Sequence, residues 1–311
     1  MCTGSGSGRG RPDPVLSEII GERRALINIA YRMLGSLAEA EDAVQETYAR
    51  WYAMTAQRQR EIQSPGAWLR KVTGRVCLDL LGSARVRRER YVGQWLPEPL
   101  PDHTEWISKP RGAIEGDPAD RVTLDESVSM AFLVVLDSMT PAERVAFVLH
   151  DVFRYPFAEV AEITGRSPAA CRQRACSARR RIRDAQTSAM PAARQAGIIR
   201  DFMQAWEAGD IGALIELLDP GVVVTGDGGG VAPASLRPIE GGERVARYLA
   251  DISREVPGNI RLSERTVNGQ PGLIAQQDGV TIAVYSFEIA GDRITRIWAV
   301  LNPGKLRPWT L

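Results

Sequence analysis

Between Arg166 and Arg183 the chain reads RSPAACRQRACSARRRIR, with seven arginines and no acidic side chain. Guanidinium groups hold phosphate oxygens and pair bidentately with guanine O6 and N7. The chemistry on offer is recognition of nucleic acid, not bond making. On a helical wheel Cys171, Ala175, Ala178 and Ile182 share one apolar face. Gln173, Ser177 and Arg180 point away from it, flanked by Arg172 and Arg181. A solvated amphipathic helix is the bland alternative. The preceding segment argues against it: FAEVAEIT is a short apolar helix, Gly165 a turn, and Ser167-Pro168 a helix start. Short helix, turn and basic helix form the pattern of a helix-turn-helix reader.

A second basic run, from Arg70 to Arg90, holds seven Arg and Lys against Asp79 and Glu89. Arg70, Arg75, Arg85, Arg87 and Arg88 are its candidates for phosphate contact, while Trp68, Val72, Val76 and Leu80 are expected to face a core. Asp79 is expected inside, in a structural ion pair. Trp51 and Trp68 could stack on unpaired bases or pack two helices together. The helix before this run is acidic, with Glu39, Glu41, Asp42 and Glu46. That surface repels DNA, so it should be solvated or face a basic or polar protein.

The elements that must carry these residues follow from periodicity and caps. Residues 14–90 read as helices, with a capping box at Ser36 and Glu39 and a second start at Ser64-Pro65. Residues 91–122 hold five prolines and scattered glycines in a loop too long to be idle. Residues 124–183 are helical again, with a capping box at Thr140 and Glu143 behind Pro141. From 194 onward two helices, a strand at 222–225, a helix at 241–252 and further strands to 301 predict helices followed by an antiparallel sheet. Asp278-Gly279 is a type I′ hairpin signal.

Composition bounds the rest. The 311 residues allow two or three domains. Net charge is +1 overall, yet residues 1–193 carry 27 basic against 24 acidic side chains and residues 194–311 carry 12 against 14. The phosphate-binding charge is therefore local. Cys2, Cys77, Cys171 and Cys176 make no CxxC pair, and there are two histidines in all. That usage predicts a cytoplasmic protein with no disulfide framework, metal site or cofactor. No apolar run is long enough to span a membrane, and no signal peptide or membrane partner is expected.

These motifs, in this order, resemble the extracytoplasmic-function (group IV) sigma factors of RNA polymerase. AEAEDAVQETYARWY is similar to their region 2.2, which docks on the β′ coiled coil. The resemblance gives Asp42, Gln45, Glu46 and Trp51 a polymerase-binding role. AWLRKVTGRVCLDLLGSARVRRERY is similar to regions 2.3 and 2.4, which open and read the −10 element. MTPAERVAFVLHDVFRYPFAEVAEITGRSPAACRQRACSARRRI is similar to region 4, which reads the −35 element. This implies −10 contacts for Arg70, Arg75, Arg85, Arg87 and Arg88, and −35 contacts for Arg172, Gln173, Ser177, Arg180 and Arg181. Trp95, Leu96 and Pro97 resemble the WLP motif of a subgroup with a SnoaL-like, NTF2-like C-terminal domain. Asp227, Gly228, Gly229 and Gly230 match that subgroup's DGGGK, with Val231 in place of the lysine.

The resemblance implies a multidomain chain: two all-α domains, a sigma-2 bundle and a sigma-4 helix-turn-helix, followed by an α+β SnoaL/NTF2-like cone. The expected boundaries are 12–91, a linker at 92–122, 123–186 and 194–305. The implied partners are core RNA polymerase, through β′ and β, and promoter DNA. A small-molecule ligand of the C-terminal domain is a further candidate. The cone lacks histidine, and a regulatory role in cis, not an enzyme, is expected. A ligand-sensing DNA-binding regulator, or an NTF2-like enzyme on a DNA tether, are the alternatives.

Overall fold

A computed structural model of the protein describes residues 14–88, 91–102, 128–185, 190–255 and 260–309. The first unit holds α1 (Pro14–Leu34), α2 (Leu37–Tyr52), α3 (Ala56–Glu61) and α4 (Pro65–Arg88). Apolar stripes at helical spacing bury α1 against both α2 and α4. Between α2 and α4 the hydroxyls of Thr47 and Thr73 lie 3.1 Å apart in the interior. The inward face of α4 carries Leu69, Thr73, Val76, Cys77 and Leu81, with Trp68, Val72 and Leu80 packed at its margin. Asp79 is exposed and has no ion pair among the described residues, which corrects the inward placement expected of it. Four residues after Arg75, it falls on the same outward side of the helix.

The second unit holds α5 (Met130–Asp137), α6 (Pro141–Phe147), α7 (Phe157–Thr164) and α8 (Pro168–Ala185). The Thr140 capping box forms in full. A π-helical turn, Val148–Val152, extends α6, and Gly165 ends α7 in the left-handed region at φ 65°. Both units share one apolar core: Leu149, Val160 and Ile163 belong to the same buried cluster as Leu26, Leu69 and Val76.

The third unit begins with α9 (Ala192–Glu207) and α10 (Ile211–Leu217). Then come β1 (Leu218–Asp227), β2 (Ile239–Glu240), α11 (Gly242–Glu255), β3 (Ile260–Val267), β4 (Gln270–Gln277), β5 (Val280–Ala290) and β6 (Arg293–Val300). The sheet order is β2-β1-β6-β5-β4-β3. The sheet is mixed, not antiparallel as expected, because β1 lies parallel to β6. Those strands are far apart in the chain, so no tight turn dictates their direction. Asp278 and Gly279 both have positive φ, as the hairpin signal requires, and Asn268 with Gly269 makes a second such turn. One sheet face packs on α9 and α11 around Phe202, Trp206 and Tyr285. The other packs Val267, Ile274, Val284 and Trp298 against Met130 and Leu96.

Candidate nucleic-acid interface and interdomain latch

α8 meets its neighbours through small side chains. Cys171, Ala175 and Ala178 are buried, which lets α6 and α7 approach closely. The exposed face carries Arg172, Gln173, Arg180, Arg181 and Arg183. Arg172 lies over the Phe157 ring at 5.3 Å, a cation–π contact that orients it. Arg179 is paired with Asp151. Ser177 is half-buried and donates to Glu143 Oε1 at 2.9 Å. Its hydroxyl therefore braces the capping glutamate of α6 and is turned away from the exposed arginine face.

The basic residues in the middle of α4 are placed differently. Arg70 Nη1 donates to both carboxylate oxygens of Glu22 at 2.7 and 2.8 Å, a partly buried pair within the first unit. Lys71 forms an ion pair with Glu162 of α7, and Arg75 Nη2 donates to the Glu162 carbonyl at 2.7 Å. The Lys71 ammonium holds the Glu162 carboxyl below the usual range. Gly74 lets this happen: a Cβ there would stand 3.0 Å from Ile163 Cγ2. Arg85, Arg87 and Arg88 lie in α4, and their side chains are outside the described residues.

On α2, Asp42, Gln45 and Glu46 share an exposed face, with Glu46 paired to Arg50 at 2.9 Å. Trp51 is 2% exposed and meets Trp68 edge to face at 5.2 Å. Its indole packs helix on helix, so in this arrangement it presents no docking surface to a partner protein.

The linker starts as a buried strap. Leu96, Pro97, Glu98, Pro99, Leu100 and Pro101 are all buried, while residues 103–122 lie outside the described ones. A carboxylate that is 0% exposed holds this strap to the third unit. Asp227 Oδ1 accepts from the Tyr91 hydroxyl at 2.6 Å and the Gly229 N–H at 3.1 Å. Oδ2 accepts from the Leu96 N–H at 2.9 Å and from Lys305 Nζ at 2.7 Å. Lys305 also donates to the Leu96 carbonyl and sits 4.2 Å from the Trp95 ring centroid. Burial, then the Asp227 carboxylate, pushes the Tyr91 phenol up. The glycines make room. A Cβ on Gly228 would strike the Ala232 carbonyl oxygen at 2.2 Å, and Gly229 sits at φ 64° against Asn302. Val231, where the subgroup motif has lysine, is 79% exposed. Lys305 supplies the cation from elsewhere in the chain.

The strap also reaches the first unit. Glu98 Oε2 accepts from the Leu37 N–H at 2.8 Å and the Ser36 hydroxyl at 3.1 Å, capping α2 from outside its own segment. Burial raises the Glu98 carboxyl above its usual range, against those two donors. Tyr31 donates to the Glu98 carbonyl at 2.7 Å and accepts from Asn268 Nδ2 at 2.8 Å. Asn268 in turn clasps Leu100 through both backbone groups. Tyr31, Glu98, Asn268, Asn302 and Lys305 were not singled out from sequence. For Asn268 the Asn-Gly pair was a visible hairpin signal.

Among the described residues no cluster of His, Cys, Asp or Glu could hold a metal, and no helix is long and apolar enough to cross a membrane. Two family models match: Sigma-70 region 2 over residues 20–87 and Sigma-70 region 4 over residues 129–182. ECF RNA polymerase sigma factor SigJ of Mycobacterium tuberculosis is 36% identical over 301 residues, 93% of this chain and 92% of that one. Probable ECF RNA polymerase sigma factor SigI of the same species is 34% identical over 297 residues, 95% and 96% of the two chains. A crystal structure of the M. tuberculosis sigma factor SigJ superposes with a TM-score of 0.70 at 33% identity, covering 94% of this chain and 98% of that one.

Proposed function

The chain belongs to the extracytoplasmic-function RNA polymerase sigma factors, and from that membership we propose a resting form that core polymerase must open. As a sigma factor it binds core RNA polymerase and directs it to promoters through regions 2 and 4. The proposed role uses binding energy, not covalent chemistry, and is exercised in the cytoplasm alongside the polymerase. One observation carries the finer reading: α8 displays its arginines, while α7 of the same unit lies on the middle of α4. The −35 surface would then be Arg172, Gln173, Arg180 and Arg181. The −10 surface would be Arg75 with Arg85, Arg87 and Arg88, and it becomes continuous once α7 leaves. Asp42, Gln45 and Glu46 would dock on the β′ subunit as an acidic face meeting a basic one, and the sigma-4 unit would then lie against β.

The C-terminal domain acts in cis through the strap. Asp227 and Lys305 hold residues 91–96, and Asn268 holds Leu100, so the domain sets where the linker leaves the sigma-2 unit. The test is transcription in vitro with core polymerase on a random promoter library. Initiation from templates that share a −10 and a −35 element supports the reading. Tight duplex binding without any core-dependent initiation would replace it with an ordinary DNA-binding regulator.

A further inference from the structure

We propose that the cleft between α5 and the outward face of the C-terminal sheet binds a small uncharged molecule bearing a hydroxyl on an apolar ring system. This goes beyond the promoter role and does not depend on it. On the inner face of the sheet aromatic rings pack together: Phe202 meets Phe287 at 5.4 Å and Trp206 meets Tyr285 at 5.2 Å, both edge to face. On the outer face, Met130 packs against Val267 and Ile274, and beyond it the two units part. The gap has a volume of about 380 Å³ and is lined by Met130, Phe132, Val135, Ile182, Ser286 and Glu288, among others. That size suits a small ligand, and a junction of two units is a common place for one.

Ser286 points to an occupant. It is 6% exposed, and among the described residues its hydroxyl has no hydrogen-bond partner. A buried hydroxyl left unpaired is costly, so such groups in native proteins call for an explanation. Gly272 stands opposite Ser286 on β4 and presents no side chain to it. Among the described residues no lysine or arginine lines the cleft, and the one charged residue there is the carboxylate Glu288, paired across strands with Arg296 at 3.2 Å. An anion finds no counter-charge there. The walls mix apolar side chains with the uncharged polar Ser129, Gln195 and Gln270, so an uncharged ring lies on the apolar part and its hydroxyl completes Ser286.

The test is calorimetric titration of the full chain with 2-naphthol, an uncharged bicyclic alcohol at neutral pH. Saturable binding at one site is expected. Ser286→Ala should weaken it by about tenfold without lowering the Tm of the unliganded chain, because the alanine buries no unpaired hydroxyl. Ala131→Trp should abolish binding by filling the cleft, with folding checked by Tm. If that variant fails to fold, Ser286→Ala alone decides. Unchanged affinity in Ser286→Ala, or no saturable binding by the parent chain up to the solubility limit of the probe, overturns the proposal. The assay contains neither polymerase nor DNA, so its failure leaves the promoter role standing, and the reverse.

Discussion

α4 and α8 are both rich in arginine, yet the structure deploys them in opposite ways. In α8 the inner face is cysteine and alanine, so the helix packs by backbone proximity and its long cations stay outside. In α4 the inner face is Leu69, Val76, Cys77 and Leu81, and three of the cations above it reach other parts of the protein. Arg70 serves Glu22, and Lys71 and Arg75 serve Glu162. Basic composition thus locates two candidate surfaces, but the neighbours of each cation decide whether it is free for phosphate.

The largest effect expected from this contrast is on α8. Replacing Arg180 and Arg181 together by alanine should lower initiation at a −35-dependent promoter by about 30-fold or more, at about 1–3 kcal/mol per good base contact. Core binding should be retained. Footprinting with core polymerase reads it, and unchanged −35 protection would remove these two residues from the surface. On α4, Arg70→Ala should behave as a stability variant. It leaves the Glu22 carboxylate partly buried and unpaired, at a cost of about 2 kcal/mol, visible as a lower denaturation midpoint. A specific promoter defect at unchanged stability would put Arg70 back among the DNA contacts.

Gly74→Leu comes next. Its side chain must enter the space of Ile163, and overpacking of about 1–3 kcal/mol would fall on the contact between α4 and α7. Faster proteolysis of the second unit and a lower requirement for core enzyme to open it are expected; an unchanged digestion pattern would show that Ile163 yields. Glu162→Gln is the smallest. It removes an exposed pair, and such pairs shift equilibria by about fivefold at most. Stopped-flow association with core enzyme should quicken slightly at low salt and match the parent at high salt. An equal gain at both would mean that the pair acts by packing instead of charge.

Much of this was legible in the sequence where the signal is local. The Thr140 capping box, the Gly165 turn, the apolar face of α8 and the Asp278-Gly279 hairpin are set by neighbouring residues, and each stands where the pattern placed it. What escaped is long-range. Glu98 caps a helix 61 residues away, and Lys305 meets Asp227 across 78 residues. Neither pairing leaves a periodic trace. Asp79 was expected inside and is outside, because the buried stripe of α4 runs through Leu69, Thr73 and Cys77, to one side of the one expected. The parallel pairing of β1 with β6 was missed for the same reason: strand direction there depends on a crossover and not on a turn.

The central claim is that α7 covers α4 in the free chain and leaves it on the polymerase. Spin labels on Asp79→Cys in α4 and Glu159→Cys in α7, in a chain with Cys2 and Cys176 replaced by serine, report the separation directly by pulsed dipolar spectroscopy. One narrow, short distance is expected for the free protein, and a distinctly longer one when core polymerase is bound. The same short distance in both samples would contradict the account.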